Sequence, residues 1–414
     1  MPRELASTDL PHLVEPGHHV FVAGGTAEPA AILSTWREAG LPAGVTLIGC
    51  QLPGLNRFAP DEFAPDCRFR TSFLSPGLRD AFHHGRVDVL PMHHADFYKW
   101  LATDAPIDLA VVQVAPPDAN GNCNLGPCAD MLPAIASRTD RRIVAQLNPL
   151  IPPCRNGLSL PIERFEAVVN GVSDLPELPT TPGSDSDAAI AENVASLLGD
   201  GETVQIGIGR LPDLVLRHLG TRRRIRLHGG TVSQAALELL ESGVAESVVT
   251  GYAGGDMRFY QRAALSEIQF RPVSFTHGPE RLRDIPKFAA LNGALEVDLL
   301  GQANCEAVSG RLMSSFGGIN DFMRAAHRSP GGTALVMLPA QSRDGRVSRV
   351  VTQIGDPGLV SVQRGDVDVV VTEYGIADLR GSDLDQRAAR LIAVAAPDWR
   401  ARLAAGWRDL RASL

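Results

Sequence analysis

The chain has 414 residues, of which 44% are hydrophobic, and a net charge of −8. This length is enough for two ordinary domains, each with its own core. The charge is spread along the chain, which argues against nucleic acid as the main partner. The N-terminal segment has no apolar core, and no stretch approaches the ~18–20 unbroken apolar residues of a membrane helix. We therefore expect a cytoplasmic protein without membrane contact.

The cysteines and histidines show no metal-binding pattern. The six cysteines are scattered, without a CxxC pair or zinc-finger spacing, which fits a reduced compartment. His93, His94 and His228 have no carboxylate or cysteine at ligand spacing. We interpret them as ordinary polar or core histidines and expect no metal site.

Short β-branched runs that end at glycine alternate with helical segments along the chain. In chain order, the pattern predicts strands at 19–25, 45–49, 108–114, 203–209, near 359–362 and at 368–375, and helices at 187–198 and 232–243. This alternation predicts an α/β fold with mostly parallel sheets.

Two segments about 185 residues apart resemble each other. LVEPGHHVFVAGGTAEPAAIL, from Leu13, and LLGDGETVQIGIGRLPDLVL, from Leu197, each run from a strand through a glycine turn to a proline that opens a helix. DLAVVQVAPPD and DVVVTEYGIAD look like a second match. The repeat predicts two similar open α/β halves. The segment 173–187 is rich in Pro, Ser and Asp and is the predicted linker, so we place the domains at 1–180 and 181–414.

Two glycine-containing loops are candidate ligand sites. The turn Gly207-Ile208-Gly209 has the form that brings backbone amides and a helix N-terminus to a phosphate or carboxylate. It lacks the third glycine of a dinucleotide site, and a purely structural turn fits the pattern equally well. The loop 115–126 follows a buried strand, at the sheet edge where α/β proteins bind ligands. A rigid surface loop is an equally good interpretation.

The segment LNGALEVDLLGQANCEAVSG at 291–310 alternates apolar residues with the carboxylates Glu296 and Asp298. This alternation predicts a strand. By pattern alone, two carboxylates on the solvent-facing side of an edge strand are a better interpretation than a catalytic group.

Seven motifs change this interpretation. They are PPDANGNCNLG, VQIGIGRLP, LEVDLLGQAN, FGGINDFMRAA, GRVSRVV, VVTEYGIADLRG and RAARLIAVAAPDWR. With these motifs in this order, nearly the whole chain resembles the acetyl-CoA hydrolase/transferase family, the class I CoA-transferases. The resemblance implies a homodimer of chains with two open, mostly parallel α/β domains, an active site between them, and the nucleophile in the second domain.

The resemblance also implies roles for particular residues. The glutamate of the family's ExDLxGQ strand is the nucleophile, which corresponds to Glu296. Its carboxylate would attack a thioester to form a mixed anhydride and then a glutamyl-CoA thioester, which a second acid resolves in a ping-pong reaction. The backbone amide of Gly318 would stabilise the oxyanion. Glu373 would orient groups around the nucleophile, although a carboxylate that merely accepts backbone N–H groups is an equal alternative.

Coenzyme A is expected to enter as free CoA or acyl-CoA substrate, together with a small carboxylic acid, and no permanently bound cofactor is expected. The CoA-binding stretch of the family corresponds to residues 273–277. The predicted CoA contacts are Val273, Ser274, Phe275, Thr276, His277, Gly317, Gly318, Gly207, Ile208 and Gly209.

The sequence departs from the family at two places. Many relatives have His-Thr-Glu or His-Ser-Glu where this chain has His228-Gly229-Gly230, and Ser315-Phe316 alters the glycine turn before Gly317. We interpret both changes as a retained mechanism with a changed acid, for example a dicarboxylate.

Two other functions stay open. The first is an acyl-CoA hydrolase, in which water resolves the glutamyl intermediate; exclusion of water would favour transfer. The second is a non-catalytic CoA- or metabolite-binding protein, against which the presence of Glu296 with both glycines argues. A sugar-phosphate isomerase or deaminase rests on fold analogy alone.

Overall fold

The computed structural model describes residues 2–179, 182–207 and 209–414. In chain order the strands are β1 (Arg3–Glu4), β2 (His19–Val22), β3 (Thr46–Ile48), β4 (Arg68–Thr71), β5 (Val87–Val89), β6 (Leu109–Val114), β7 (Asn122–Asn124), β8 (Arg142–Leu147), β9 (Ser159–Pro161), β10 (Ala167–Asn170), β11 (Thr203–Ile206), β12 (Ile225–His228), β13 (Thr231–Val232), β14 (Ala245–Thr250), β15 (Tyr252–Ala253), β16 (Gln269–Phe270), β17 (Phe288–Gly293), β18 (Glu296–Asp298), β19 (Ala303–Asn304), β20 (Ala307–Val308), β21 (Arg311–Leu312), β22 (Thr333–Met337), β23 (Val350–Val351), β24 (Val369–Thr372) and β25 (Gly375–Asp378).

The helices, in the same order, are α1 (Ala30–Ala39), α2 (Arg79–His83), α3 (His94–Thr103), α4 (Leu132–Ala136), α5 (Asp185–Ser196), α6 (Arg210–His218), α7 (Gln234–Glu241), α8 (Met257–Leu265), α9 (Val273–Thr276), α10 (Pro279–Arg283), α11 (Ile319–Arg328), α12 (Leu384–Val394) and α13 (Pro397–Ser413). The strands and helices predicted from the pattern are present, within a few residues of their expected ends, except the strand near 359–362. That segment forms no strand, because only Val362 pairs with another strand, in an isolated bridge to Ala303.

The chain forms two compact units. The first comprises Met1–Pro179, Gly230–Val232 and Val249–Thr276, and the second comprises Thr180–Gly229, Ser233–Val248 and His277–Leu414. The domain boundary at residue 180, placed in the predicted linker, stays a prediction. The sequence analysis did not predict that Gly230–Val232 and Val249–Thr276 belong to the first unit.

The first unit contains an open sheet in the order β1-β10-β8-β6-β2-β3-β4-β5, and every pairing in it is parallel. All six residues of β6 are buried, as is typical of a central strand covered on both faces. After β2 the chain adds β3, β4 and β5 on one side of the sheet. It then adds β6 on the other side of β2, followed by β8 and β10. The strand order therefore reverses between β2 and β6, and such a switch point is where open α/β sheets bind ligands.

The second unit repeats this plan in a sheet with the order β14-β12-β11-β17-β22-β24-β25. Its pairings from β12 to β24 are parallel, and β25 is antiparallel to β24. The switch point lies between β11 and β17. Two similar, mostly parallel α/β units are thus present, which confirms the predicted fold class.

The two units also test the repeat. The match of β2 with β11 is confirmed, because each lies at the switch point of its sheet. The second match is wrong: β6 is the neighbour of β2, whereas β24 is separated from β11 by β17 and β22. Short buried strands headed by aspartate look alike in sequence, and their pattern does not contain their order in a sheet. By position, β17 is the counterpart of β6.

The sheet of the second unit is covered by amphipathic helices. α11 packs on β17 and β22, and α12 packs on β24 and β25. Their shared core includes Phe288, Val297, Met323, Leu391 and Val336. Among the described residues, none of the helices combines the length and apolar character needed to cross a membrane.

Candidate active site

The switch point of the second sheet brings two of the predicted motifs side by side. The register pairs Ile206 at the end of β11 with Leu291 of β17. Close to this pair, Nδ2 of Asn292 on β17 donates a hydrogen bond to Oε1 of Gln205 on β11 at 3.0 Å. The turn after β11 and the segment after β17 therefore leave the sheet next to each other, and the latter leads to Glu296.

The turn after β11 is open and favours anions. Gly209 has φ 127°, which favours glycine, and it is the N-cap of α6. A side chain added at Gly207 or Gly209 would meet no atom within 4 Å, so the space beside the turn is free. The N-terminus of α6 adds partial positive charge. The third predicted contact of this turn, Ile208, lies outside the described residues.

Glu296 lies on a short strand rather than on the long one that the alternation predicts. The segment 291–310 is divided among the end of β17 and the strands β18, β19 and β20. Glu296 of β18 pairs antiparallel with Asn304 of β19, and Val297 pairs parallel with Val350. The half-buried carboxylate of Glu296 accepts a hydrogen bond from Nδ2 of Asn304 at 2.9 Å.

Asp298 contradicts the interpretation of two solvent-facing carboxylates. It is only 1% exposed, and its carboxylate accepts hydrogen bonds from the backbone N–H groups of Leu300 and Gln302 and from Nε2 of Gln302. Burial raises the pKa of Asp298, and these hydrogen bonds oppose the rise. Asp298 therefore holds the loop that turns β18 back into β19. The alternation of apolar and polar residues did not predict this burial, because it indicates which side of a strand a residue faces and not whether a loop covers that side.

The predicted oxyanion turn starts α11. Gly318 is the N-cap of this helix, and Gly317 before it has φ 53°, a conformation that favours glycine. Asn320 donates from Nδ2 to the backbone oxygen of Ser361 at 2.8 Å. The hydroxyl of Ser361 accepts the backbone N–H of Cys305, next to Asn304, at 2.9 Å. Ser361 thus connects the start of α11 to the strand that pairs with Glu296.

A cavity of about 520 Å³ lies in the second unit, a size typical of small-molecule sites. Its polar lining includes the cations of Arg210, Arg343 and Arg349 and the carboxylates of Asp187 and Glu373. Arg210 is paired with Asp187 at 2.7 Å. Burial acts to raise the pKa of Asp187, but hydrogen bonds from Ser184 and the charge of Arg210 outweigh it and lower the pKa.

Arg349 connects the cavity to the segment that contains Glu296. The guanidinium of Arg349 donates from one terminal nitrogen to the backbone oxygen of Leu295 at 3.4 Å, next to Glu296. Its Nε is buried without a hydrogen-bond partner. The three arginines in its lining make the cavity suitable for an anionic ligand.

Glu373 lines the same cavity and accepts the backbone N–H of Ala340 at 2.8 Å. The backbone N–H of Arg349 in turn donates to the oxygen of Ala340 at 2.9 Å. Glu373 and Arg349 thus line the same cavity, and the alternative role of Glu373, accepting a backbone N–H, is also fulfilled.

The variant Glu373→Gln separates these two roles. The amide oxygen of glutamine can still accept the Ala340 N–H, so we expect the free energy of unfolding to change by less than about 1 kcal/mol. Loss of the negative charge from the cavity lining is expected to lower kcat roughly tenfold or more if Glu373 orients charged groups in the site. Urea denaturation and steady-state kinetics measure the two effects. An unchanged kcat would leave Glu373 with the structural role alone.

The predicted CoA-binding stretch is divided between the two units. Val273–Thr276 forms the short α9 of the first unit, in which Val273 and Thr276 are buried and Ser274 is exposed. His277 belongs to the second unit, where its ring lies 4.5 Å from that of Phe322 on α11. His277 therefore contacts the helix that Gly318 caps.

The histidines that suggested a metal have other surroundings. The ring of His228 packs edge-on against Phe288, and Nε2 of His94 lies 3.7 Å from the carboxylate of Asp130. In residues 2–179, 182–207 and 209–414, three or more His, Cys, Asp or Glu side chains do not come together as a metal site.

Sequence reasoning missed the structural roles of three polar groups. Asn304 and Asp298 lie within the LEVDLLGQAN motif, and their spacing from Glu296 was the available signal. The third is Glu28 of the first unit, on the turn after β2 at the switch point of that sheet. Burial raises the pKa of Glu28 to about 8, opposed by a hydrogen bond with Asn56. Its position in the repeat, just before the proline that opens a helix, was the signal.

Open parallel sheets with polar groups at the switch point are the plan of α/β enzymes. The model of the acetyl-CoA hydrolase/transferase N-terminal domain matches residues 3–170, and that of the C-terminal domain matches residues 255–406. The chain belongs to the acetyl-CoA hydrolase/transferase family, and it is an enzyme of the CoA-transferase type.

Similar proteins agree with this assignment. The 4-hydroxybutyrate coenzyme A transferase of Clostridium kluyveri is 29% identical over 94% of each chain. The succinyl-CoA:acetate/propanoyl-CoA:succinate CoA transferase of Fasciola hepatica is 29% identical over 94% of this chain and 84% of its own. The crystal structure of a 4-hydroxybutyrate CoA-transferase from Porphyromonas gingivalis is 27% identical, with a TM-score of 0.80 over 100% of this chain and 98% of its own.

Proposed function

We propose that this enzyme transfers CoA from an acyl-CoA to a carboxylic acid through a glutamyl-CoA thioester on Glu296. The observation that carries the proposal is the position of Glu296: it lies beyond the switch point of the second sheet, its carboxylate is held by Asn304, and the adjoining cavity is lined by arginines. A carboxylate next to an arginine-lined cavity suits a reaction whose substrates are both anions.

The reaction has two symmetrical halves. The free oxygen of Glu296 attacks the thioester carbonyl carbon, the C–S bond breaks, and CoA leaves as a thiolate. The thiolate attacks the glutamyl carbonyl of the anhydride, and the donor acid leaves as a carboxylate. The acceptor carboxylate then attacks the glutamyl thioester, CoA leaves again, and its thiolate attacks the acceptor's carbonyl to release the new acyl-CoA and Glu296.

The surrounding groups would assist both halves. Each attack develops an oxyanion, and backbone N–H groups at the Gly317-Gly318 turn are the proposed donors. The Gly207-to-Gly209 turn and the cavity arginines are proposed to bind anionic parts of the substrates. CoA is proposed to come and go as a substrate rather than to stay bound.

The acid is proposed to be larger than acetate, for example a dicarboxylate. A side chain at Gly229 would make only ordinary contacts, 3.5 Å from Gln205 and 3.6 Å from the oxygen of Ile206. The glycine therefore leaves space that a larger residue would fill. Of the two relatives, the first is named for 4-hydroxybutyrate and the second for succinyl-CoA and succinate together with acetate and propanoyl-CoA, so a dicarboxylate is among the acids that their names contain.

Mass spectrometry of the intact protein tests the proposal. The protein is incubated with acetyl-CoA, butyryl-CoA, 4-hydroxybutyryl-CoA and succinyl-CoA in the absence of an acceptor acid, and the adduct is located by peptide mapping. We expect a covalent CoA adduct on Glu296, formed faster with the larger acyl groups. Absence of both an adduct and CoA release with every donor would favour a non-catalytic CoA-binding protein.

The family's name also covers hydrolysis, in which water resolves the glutamyl intermediate. Product analysis with and without an acceptor acid separates the two reactions: a transferase forms new acyl-CoA, whereas a hydrolase releases free CoA at the same rate in both. A cytoplasmic homodimer stays a prediction.

A further inference from the structure

The side chain of Asn304 is held in one orientation. It is 1% exposed, and its Oδ1 accepts the backbone N–H groups of Glu306 at 2.9 Å and Ala307 at 3.0 Å. Its Nδ2 donates to the backbone oxygen of Ala307 at 2.8 Å. Because Oδ1 must face two donors, the amide cannot be reversed, and the remaining N–H of Nδ2 is fixed toward Oε1 of Glu296.

The turn that holds Asn304 is itself anchored. The hydroxyl of Ser361 donates to the carboxylate of Glu306 at 2.8 Å and accepts the N–H of Cys305. The backbone N–H of Ser361 donates to the oxygen of Ala303 at 2.9 Å. Asn304 therefore sits between two anchored residues, and its amide is a rigid donor.

We infer that Asn304 is a positioning residue for the nucleophile: it holds one oxygen of the Glu296 carboxylate and directs the other toward the substrate. This inference rests on the proposed role of Glu296. A glutamate side chain has three rotatable bonds, and holding one oxygen removes most of the orientations in which the other faces away from the thioester. The hydrogen bond is to a charged acceptor, which makes it stronger than a neutral one.

The variant Asn304→Asp tests this role with the smallest change of shape. Its carboxylate can still accept the N–H groups of Glu306 and Ala307, but at pH 8 it cannot donate to Glu296, and two ionised carboxylates repel each other. We expect the first-order rate of CoA adduct formation on Glu296 to fall roughly 10- to 100-fold. The acyl-CoA concentration that gives half the maximal rate should change by less than about threefold.

Acidification provides a readout that a purely structural role would not move. When one proton is shared between the two carboxylates, the introduced carboxyl group can donate to Glu296 again. The ratio of the Asn304→Asp rate to the wild-type rate is therefore expected to rise about tenfold from pH 8 to pH 5.5. Arg349 and Glu306, the other charged groups close to this pairing, are present in both proteins, and Asn304→Ser shows how the ratio behaves when the same neighbours surround a neutral side chain.

Two further variants complete the experiment. Asn304→Ser is neutral and too short to reach Glu296, and we expect it to be slow with a ratio that does not depend on pH. Asn156→Asp is the matched control, because Nδ2 of Asn156 also donates to a glutamate, Glu267, at 3.0 Å, but on the exposed surface of the first unit. It should form the adduct at the wild-type rate.

The outcomes distinguish this inference from the proposed function. A wild-type protein that forms no adduct on Glu296 would overturn the proposed function, and the inference with it. A wild-type adduct together with a wild-type rate in folded Asn304→Asp or Asn304→Ser would overturn the inference alone. So would a slow Asn304→Asp whose ratio to wild type is the same at both pH values.

Discussion

Replacing Glu296 with glutamine is expected to lower the rate of CoA transfer by about four orders of magnitude or more and to abolish the covalent CoA adduct. Glutamine has nearly the same shape, and its amide oxygen can still accept the hydrogen bond from Asn304. Only the negative charge and the nucleophilic oxygen are removed. Because the proposed reaction passes through a covalent bond to this oxygen, we expect the loss of rate to come from the missing nucleophile and not from a change in the fold.

The measurements are the steady-state rate with an acyl-CoA and an acceptor acid, and the intact mass without the acceptor. Glu267→Gln is the matched control, since Glu267 also accepts an asparagine amide but has a side chain that is 69% exposed. It should behave as the wild type does. Transfer by Glu296→Gln within tenfold of the wild-type rate would contradict covalent catalysis at this residue.

Asp298→Ala is expected to lower the free energy of unfolding by about 3 kcal/mol. The substitution removes the acceptor of the backbone N–H groups of Leu300 and Gln302 and of the Gln302 side chain, in a loop where Asp298 is 1% exposed. It also frees the loop that sets the pairing of Glu296 with Asn304. We therefore expect slower adduct formation on Glu296 as well.

Asp298→Asn is the companion variant. Its oxygen can accept the two backbone N–H groups, but its NH₂ group would face Nε2 of Gln302, so a loss of about 1 kcal/mol is expected. Urea denaturation of both variants gives the comparison. Equal stability of Asp298→Ala and wild type would show that the loop closes without the carboxylate.

The sequence predicted the fold well because the hydrophobic periodicities of strands and helices can be recognised in one sequence. The six buried residues of β6 and the glycine turn after β11 were both recognisable. The order of the strands was not recognisable, because β6 and β24 have the same local pattern but lie at different positions in their sheets. Order in a sheet depends on contacts between residues far apart in sequence, which a local pattern does not contain.

The site was predicted unevenly for a related reason. Glu296, Gly318 and Glu373 were identified by family motifs, and their roles stay predictions. Asp298 was expected to face solvent and is instead buried by a loop that it closes itself. Alternation alone could not reveal this burial. The carboxylate of Asp298 binds backbone N–H groups of the turn that follows it, and this turn leaves the alternation of apolar and polar residues unchanged.

Cys305, which follows Asn304, bears on the chemical selectivity of the site. Thiols are better nucleophiles than carboxylates once ionised, and an ionised cysteine beside an acyl anhydride would capture the acyl group. Burial raises the pKa of Cys305 to about 12, and its Sγ donates to the backbone oxygen of Gly293 at 3.3 Å. At pH 7 the protonated thiol is therefore the predominant form. In the proposed mechanism, Cys305 would therefore not compete with the thiol of CoA for the anhydride, and a dead-end acyl-cysteine would be avoided.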